Sequence, residues 1–150
     1  MNQSPVRYPN SQEEILFLGR PMSVMISGKE TQDRYAVLQS TEQKGEGPPR
    51  HIHHQEDEVF NVIRGELTVY LGDQSFSATE GATVFLPRGI SHTFRIDSEE
   101  ATIQVVSCPA HFEYYARELS ASEMQSYTKE QWLKKMVEVG KRYQIEFPDI

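Results

Sequence analysis

A single cysteine, Cys108, stands in 150 residues. One thiol cannot close an intramolecular disulfide, so burial and hydrogen bonding have to hold the chain, and nothing in it asks for an oxidising compartment. Following the apolar Val105 and Val106, Cys108 is expected to be buried and inert. Long apolar runs are missing too. None approaches the ~18 residues that a membrane-spanning helix requires, and the opening MNQSPVRYPN lacks the apolar centre of a secretory leader. A cytoplasmic location without membrane contact is the expectation. Basic patches are scarce: the densest is Lys134, Lys135, Lys141 and Arg142, and the formal net charge is −7. That is the wrong sign for a nucleic-acid surface, whose binders concentrate basic charge on one face. No internal repeat, low-complexity segment or helix-turn-helix pattern is present.

What is there suffices for one domain. A chain of this length buries roughly 68–70% of its unfolded surface, and 37% hydrophobic with 25% charged residues is ordinary for a globular protein. Residues 1–14 are polar and Pro-containing and read as an N-terminal arm. From 15 to about 110 the pattern is short strands between turn signals: MSVMIS (22–27), RYAVLQST (34–41), EVFNVIRG (58–65), ELTVYLG (66–72), QSFSAT (74–79), ATVFLP (82–87), SHTFRI (91–96) and ATIQVVSC (101–108). Arg64-Gly65 reads as a hairpin turn, Gly72-Asp73 and Glu80-Gly81 as the next turns, and TEQKGEGPPR (41–50) as a loop. Strands at spacings of roughly 8–12 residues predict an all-β, antiparallel sandwich or barrel.

A helical period appears only after residue 110. HFEYYARELS sets Phe112, Tyr115, Ala116 and Leu119 on one face. Ser120 with Glu123 and Thr128 with Gln131 both fit a capping box. Trp132, Leu133, Met136 and Val137 form a stripe read as core packing, and Gly140 is a natural stop. Residues 111–147 are therefore a C-terminal helical extension.

The chemistry concentrates in RHIHHQEDE (50–58). His51 and His53 are two apart, so in an extended strand they project to the same side, with His54 opposite. Glu58 opens the next strand and His92 lies far along the chain in SHTFRI. Three imidazoles and a carboxylate suit one divalent first-row metal, whether Fe, Mn, Ni, Co, Cu or Zn. Such a set leaves positions open, as catalytic sites do. On this spacing alone a solvated polar loop accounts for the stretch equally well.

Read over a longer span, Gly45-x5-His51-x-His53-x4-Glu58-x6-Gly65 resembles the first motif of the cupin superfamily, and Gly81-x5-Pro87-x-Gly89-x2-His92 resembles the second. One departure is Ile96, where the second motif usually carries an Asn that is not a metal ligand. The resemblance implies a single-domain antiparallel β-barrel of the cupin, jelly-roll type, with His51, His53, Glu58 and His92 around one metal. His54 then lies outside the ligand set, and Glu56 and Asp57 are expected to be solvated at the strand start. GPPRHIHHQEDEVFNVIRGEL, SCPAHFEYY and RYQIEF make residues 15–147 similar to single-domain bacterial cupins described as quercetin 2,3-dioxygenase-like.

That likeness implies a dioxygenase for a flavonol-like or other aromatic or enol substrate, with O2 as co-substrate. Glu58 would ligate the metal and take the substrate proton, while Phe60, Val62, Phe85 and Phe94 would line an apolar substrate pocket. Two alternatives stand beside it. One is a metal-dependent isomerase or lyase on a small keto acid or sugar, which needs an arginine such as Arg50 or Arg95 turned inward. The other is a non-enzymatic metal- or small-ligand-binding cupin. A homodimer through edge strands is expected, and the C-terminal helices either pack outside the barrel or cover one open end, where His111 would be close.

Overall fold

The alternation of apolar and polar residues sets the strands. In the computed structural model, which describes residues 3–150, the chain runs through β1 (Glu14–Phe17), β2 (Arg20–Ile26), a one-turn helix α1 (Gly28–Thr31), β3 (Ala36–Gln43), β4 (Ile52–His53), β5 (Asp57–Arg64), β6 (Glu66–Leu71), β7 (Gln74–Thr79), β8 (Thr83–Leu86), β9 (His92–Ile96), β10 (Glu100–Cys108), α2 (His111–Glu118), α3 (Lys129–Arg142) and β11 (Ile145–Glu146). Along β5 the inward Glu58, Phe60 and Val62 are buried while Ile63 and Arg64 at its end are exposed.

Every strand pair is antiparallel. One sheet has six strands in the order β1-β2-β3-β10-β5-β8, a second has three, β7-β6-β9, and β11 pairs with β4. The sheets face each other across a shared core: Phe60, Val62, Ile103 and Val105 come from the larger, Leu67, Val69 and Ile96 from the smaller. Burying each such side chain stabilises the fold by roughly 1.5–3 kcal/mol. The expected barrel is thus a jelly-roll sandwich, its sheets not joined into one closed hydrogen-bonded ring among the described residues.

The hairpin expected at Arg64-Gly65 does not form. Both edges of β5 are occupied, by β10 and β8, so β6 crosses to the other sheet. Gly65 takes φ 87° at this corner, a conformation open to glycine without steric cost. A true hairpin follows at Gly72-Asp73, where Leu71 pairs with Gln74.

Arg7 ties the N-terminal arm down, donating to Met25 O at 2.9 Å and to both oxygens of Glu30. At the other end, α3 begins with the expected capping box, Thr128 accepting from Gln131 N. The box expected between Ser120 and Glu123 depends on the Glu123 side chain, which lies outside the described residues; the segment itself forms a 3-10 turn over Ser122–Ser126 with Ala121 at its N-cap. Tyr115 of α2 and Leu119 just after it pack with Met136 and Val139 of α3 and with Ile145 and Phe147. Cys108 is exposed, not buried: strand alternation turns Ser107 inward and Cys108 outward, where its thiol reaches Arg34 O at 3.2 Å. Among the described residues no helix is long and apolar enough to cross a membrane.

Candidate metal centre

The loop before β4 is pulled against β9 by close backbone packing. At Gly47 an added Cβ would stand 1.8 Å from Phe94 O, so only glycine lets the loop approach this closely. The approach sets His51 opposite His92, with His51 N donating to His92 O at 3.0 Å and His92 N to His51 O at 2.9 Å. His53 follows two residues on, and Glu58 enters from β5. The ring centroids of His51 lie 5.0 Å from His53 and 4.5 Å from His92. One ligand atom from each of His51, His53, Glu58 and His92 lies within 4.8 Å of all the others. His53, Glu58 and His92 are buried; His51 is half-buried as a residue and presents a buried ring to the cluster.

Hydrogen bonds on the far side of each ring fix the tautomers. His51 Nδ1 donates to Pro49 O (2.8 Å), His92 Nδ1 to Ile90 O (3.2 Å) and His53 Nδ1 to Glu56 Oε1 (2.9 Å). All three acceptors lack a hydrogen, so each proton sits on Nδ1 and each Nε2 lone pair turns inward. His53 Nε2 is buried without a hydrogen-bond partner, and His92 Nε2 faces Glu58 Oε2 at 3.1 Å. Two acceptors this close need a cation or a proton between them. The donor set therefore fits a divalent ion.

The electrostatics agree. Burial, helped by His53 and His92, lowers His51 to about 3, so it is a neutral lone-pair donor at neutral pH. Burial alone would raise Glu58, but the charges of His53 and His92, the His92 hydrogen bond and His51 outweigh it and bring the carboxyl down to about 2. Burial alone would lower His53, yet Glu58 and Glu56 outweigh it and raise its pKa. A proton is drawn to His53 Nε2, the position a dication would occupy in its place.

Three members of the cluster, His51, His53 and Glu58, line a cavity of about 70 Å³. Phe60 and Phe94, meeting edge to face at 5.5 Å, form one wall, and Met22, Ile103 and Val105 continue it. Phe112, Tyr115, Met136, Ile145 and Phe147 close it from the C-terminal extension, which therefore covers one open end of the sandwich. The polar part of the wall is Ser40, Glu42 and Arg20, the last bonded to Glu42 and paired with Glu46, both at 2.9 Å.

Of the residues expected around substrate, Phe60 and Phe94 line the cavity and Val62 and Phe85 do not. Val62 faces inward but lies deeper, within the sheet-to-sheet core. Phe85 is corrected outright: it shares the outward face of β8 with Thr83 and is 58% exposed. Arg50 bonds Gly72 O and Ser91 Oγ, and Arg95 bonds Asp97; neither lines the cavity. His54 is exposed and pairs with Glu146, and His111 opens α2 outside the cavity wall. Asp57 is bound by Arg88 at the surface. Glu56, expected to be solvated, is instead 1% exposed beside His53. Its signal was its parity with Glu58: alternation that turns one inward turns the other inward too.

Residues 39–108 match the family model described as a cupin domain. Together with the jelly-roll fold and its solved neighbours, this places the chain in the cupin superfamily. Over 96 residues it is 26% identical to the quercetin 2,3-dioxygenase of Bacillus subtilis (strain 168), a match that covers 64% of this chain and spans 28% of that enzyme's length. Two solved structures share the fold at a TM-score of 0.62. KdgF from Halomonas sp. is 12% identical, with 71% of this chain and 96% of that one covered. A predicted oxalate decarboxylase from Thermotoga maritima is 17% identical, with 69% and 98% covered.

Proposed function

We propose that this cupin is a metal-dependent dioxygenase for a largely apolar substrate bearing an aromatic or enolic hydroxyl, of flavonol type, with O2 as co-substrate. The observation that carries the reading is an apolar cavity lined by His51, His53 and Glu58, members of a buried ligand cluster that His92 completes; the relationship to a quercetin 2,3-dioxygenase supports it. A divalent first-row metal held by His51, His53, Glu58 and His92 would supply Lewis acidity, lowering the pKa of a hydroxyl placed against it. Phe60 and Phe94 grip a planar ring, and the aromatic cap from α2 and the C-terminal tail excludes water from the reacting end. Glu58, anionic across the neutral range, is the acceptor for the substrate's hydroxyl proton.

The isomerase or lyase reading asks for a free cation facing an anionic substrate. Arg20, which lines the cavity, is already engaged by two carboxylates, and Arg50 and Arg95 are committed elsewhere. Apart from the metal, a carboxylate or phosphate would meet no unpaired arginine or lysine among the described lining residues, which favours the apolar substrate. We extend the proposal to a homodimer, supported by the open edge of β8 with Phe85 exposed beside it; light scattering on the eluted peak checks it.

The test is elemental analysis of the wild type beside His53→Ala, followed by oxygen uptake with a panel of flavonols on the metal-loaded protein. Stoichiometric metal lost in the variant, with oxygen consumed by the wild type, supports a metallo-dioxygenase. Metal without uptake on any flavonol sinks the reaction but not the site. No metal under any loading condition sinks both.

A further inference from the structure

Glu56 uses both of its oxygens. Oε1 accepts from His53 Nδ1 at 2.9 Å and Oε2 accepts from the backbone N–H of Phe112 at 2.8 Å. Phe112 is the second residue of α2, so its N–H is one of the first-turn donors that find no partner within a helix. The residue at the N-cap, Ala110, provides no side-chain bond. A carboxylate 56 residues back in the chain takes that role, where its charge also suits the positive end of the helix. The ring of Phe112 then meets the ring of His53 edge to face at 5.9 Å and forms part of the cavity wall.

We propose that Glu56 is a positioning residue that couples metal occupancy at His53 to the docking of α2 over the cavity. The inference rests on the reading of His53 as a metal ligand. An imidazole whose Nε2 is bound to a dication is a stronger donor at Nδ1, so the bond to Oε1 tightens, and with it the orientation of the carboxylate that holds Phe112. The coupling is reciprocal: whatever factor metal adds to the docking of α2, docked α2 adds to metal affinity. The fold supports this on a second side, because β11 pairs directly with β4, setting Ile145 opposite His53 and Glu146 opposite Ile52.

The experiment measures amide hydrogen exchange over 111–118 with and without Zn²⁺, and Zn²⁺ affinity by chelator competition, in the wild type, Glu56→Gln and Glu56→Asp. Zinc is expected to slow exchange in α2 of the wild type. A carboxamide has a single acceptor oxygen and can serve His53 or Phe112 but not both. Glu56→Gln is therefore expected to bind zinc 10–100-fold more weakly, and at saturating zinc its α2 exchange no longer responds to the metal. The visible spectrum of the Co²⁺ form should shift in Glu56→Gln and move back toward the wild type in Glu56→Asp, a signature that mere loss of packing does not give. Wild-type α2 exchange indifferent to bound zinc overturns the coupling, as does Glu56→Gln with wild-type zinc affinity; either leaves the metal site standing. A wild type that binds no zinc overturns both. If Glu56→Gln does not fold, the wild-type comparison decides the coupling.

Discussion

Adding metal should stabilise the folded chain, by an amount that follows from the geometry of the site. The four candidate ligands come from distant points in the chain: His51 and His53 before and within β4, Glu58 on β5, His92 on β9. Only the fold brings their donor atoms within 4.8 Å of each other, so the ion binds the native state in strong preference to the unfolded one. At a free concentration one hundred times Kd the gain is ~2.7 kcal/mol, which for a chain of this size raises Tm by roughly 5–11 °C. His53→Ala removes a ligand and leaves Glu56 Oε1 buried without its donor, so the apo variant should itself melt lower, by the equivalent of about 1–3 kcal/mol. The quantity to compare is thus the metal-induced shift, not the absolute Tm. Differential scanning fluorimetry with Mn²⁺, Co²⁺, Ni²⁺ and Zn²⁺, each reversed with EDTA, should give a shift in the wild type and none in His53→Ala. Equal shifts in both proteins would refute the assignment of His53, and no shift with any of these ions would refute the metal centre.

Two further outcomes follow from the frame of the fold. Gly65→Ala should destabilise by upwards of about 1 kcal/mol, because φ is 87° and the new Cβ would lie 2.4 Å from Glu100 O, a backbone atom that cannot move aside; urea denaturation reads this directly. The bond from Arg7 holds the Glu30 carboxyl below its usual 4.5, with the Ser27 backbone adding to the effect. A lowered folded-state value means that the contribution to stability is present above pH 4.5 and is lost as pH falls through the lowered value. The Tm difference between wild type and Glu30→Gln should accordingly be constant at neutral pH and shrink below about pH 4.5; a difference that widens on acidification would contradict the pairing.

Strand positions were legible because side chains alternate, and the metal set was legible because ligand spacing survives in the linear sequence. What escaped depends on information that alternation does not carry. A strand, a glycine turn and a second strand look the same whether the chain reverses within one sheet or crosses to another. Gly65 does the second because β10 and β8 already occupy both edges of β5. Phe85 and Cys108 failed by parity: each lies in an apolar run, but its neighbour, Leu86 or Ser107, faces inward. Glu56 looked solvated because three acidic residues stand in a row, and burying the first of them depends on a donor from α2, 56 residues away. The apolar face of α2 was plain in the periodicity. That it closes a cavity, together with Ile145 and Phe147, was a matter of tertiary packing alone.

The size of that cavity sets a last prediction. About 70 Å³ is under half of the ~150 Å³ that accommodates a single benzene ring in an engineered core. A planar substrate of several rings cannot enter with the cap in place, so the cap residues must yield before such a ligand reaches the histidines. Phe147 is the natural point of release. It is 7% exposed, its ring is 6.0 Å from that of His51, and it lies just beyond the short β11 that pairs with β4. Phe147→Ala removes the ring from the wall at a cost to stability of roughly 3–5 kcal/mol or less, since the site is near the surface and can partly collapse. Association of a single-ring phenol and of a multi-ring flavonol, each followed by stopped-flow fluorescence, should then accelerate severalfold, because even one ring exceeds the closed cavity. If both ligands bind the variant at wild-type rates, Phe147 does not limit entry and ligands reach the histidines by another path.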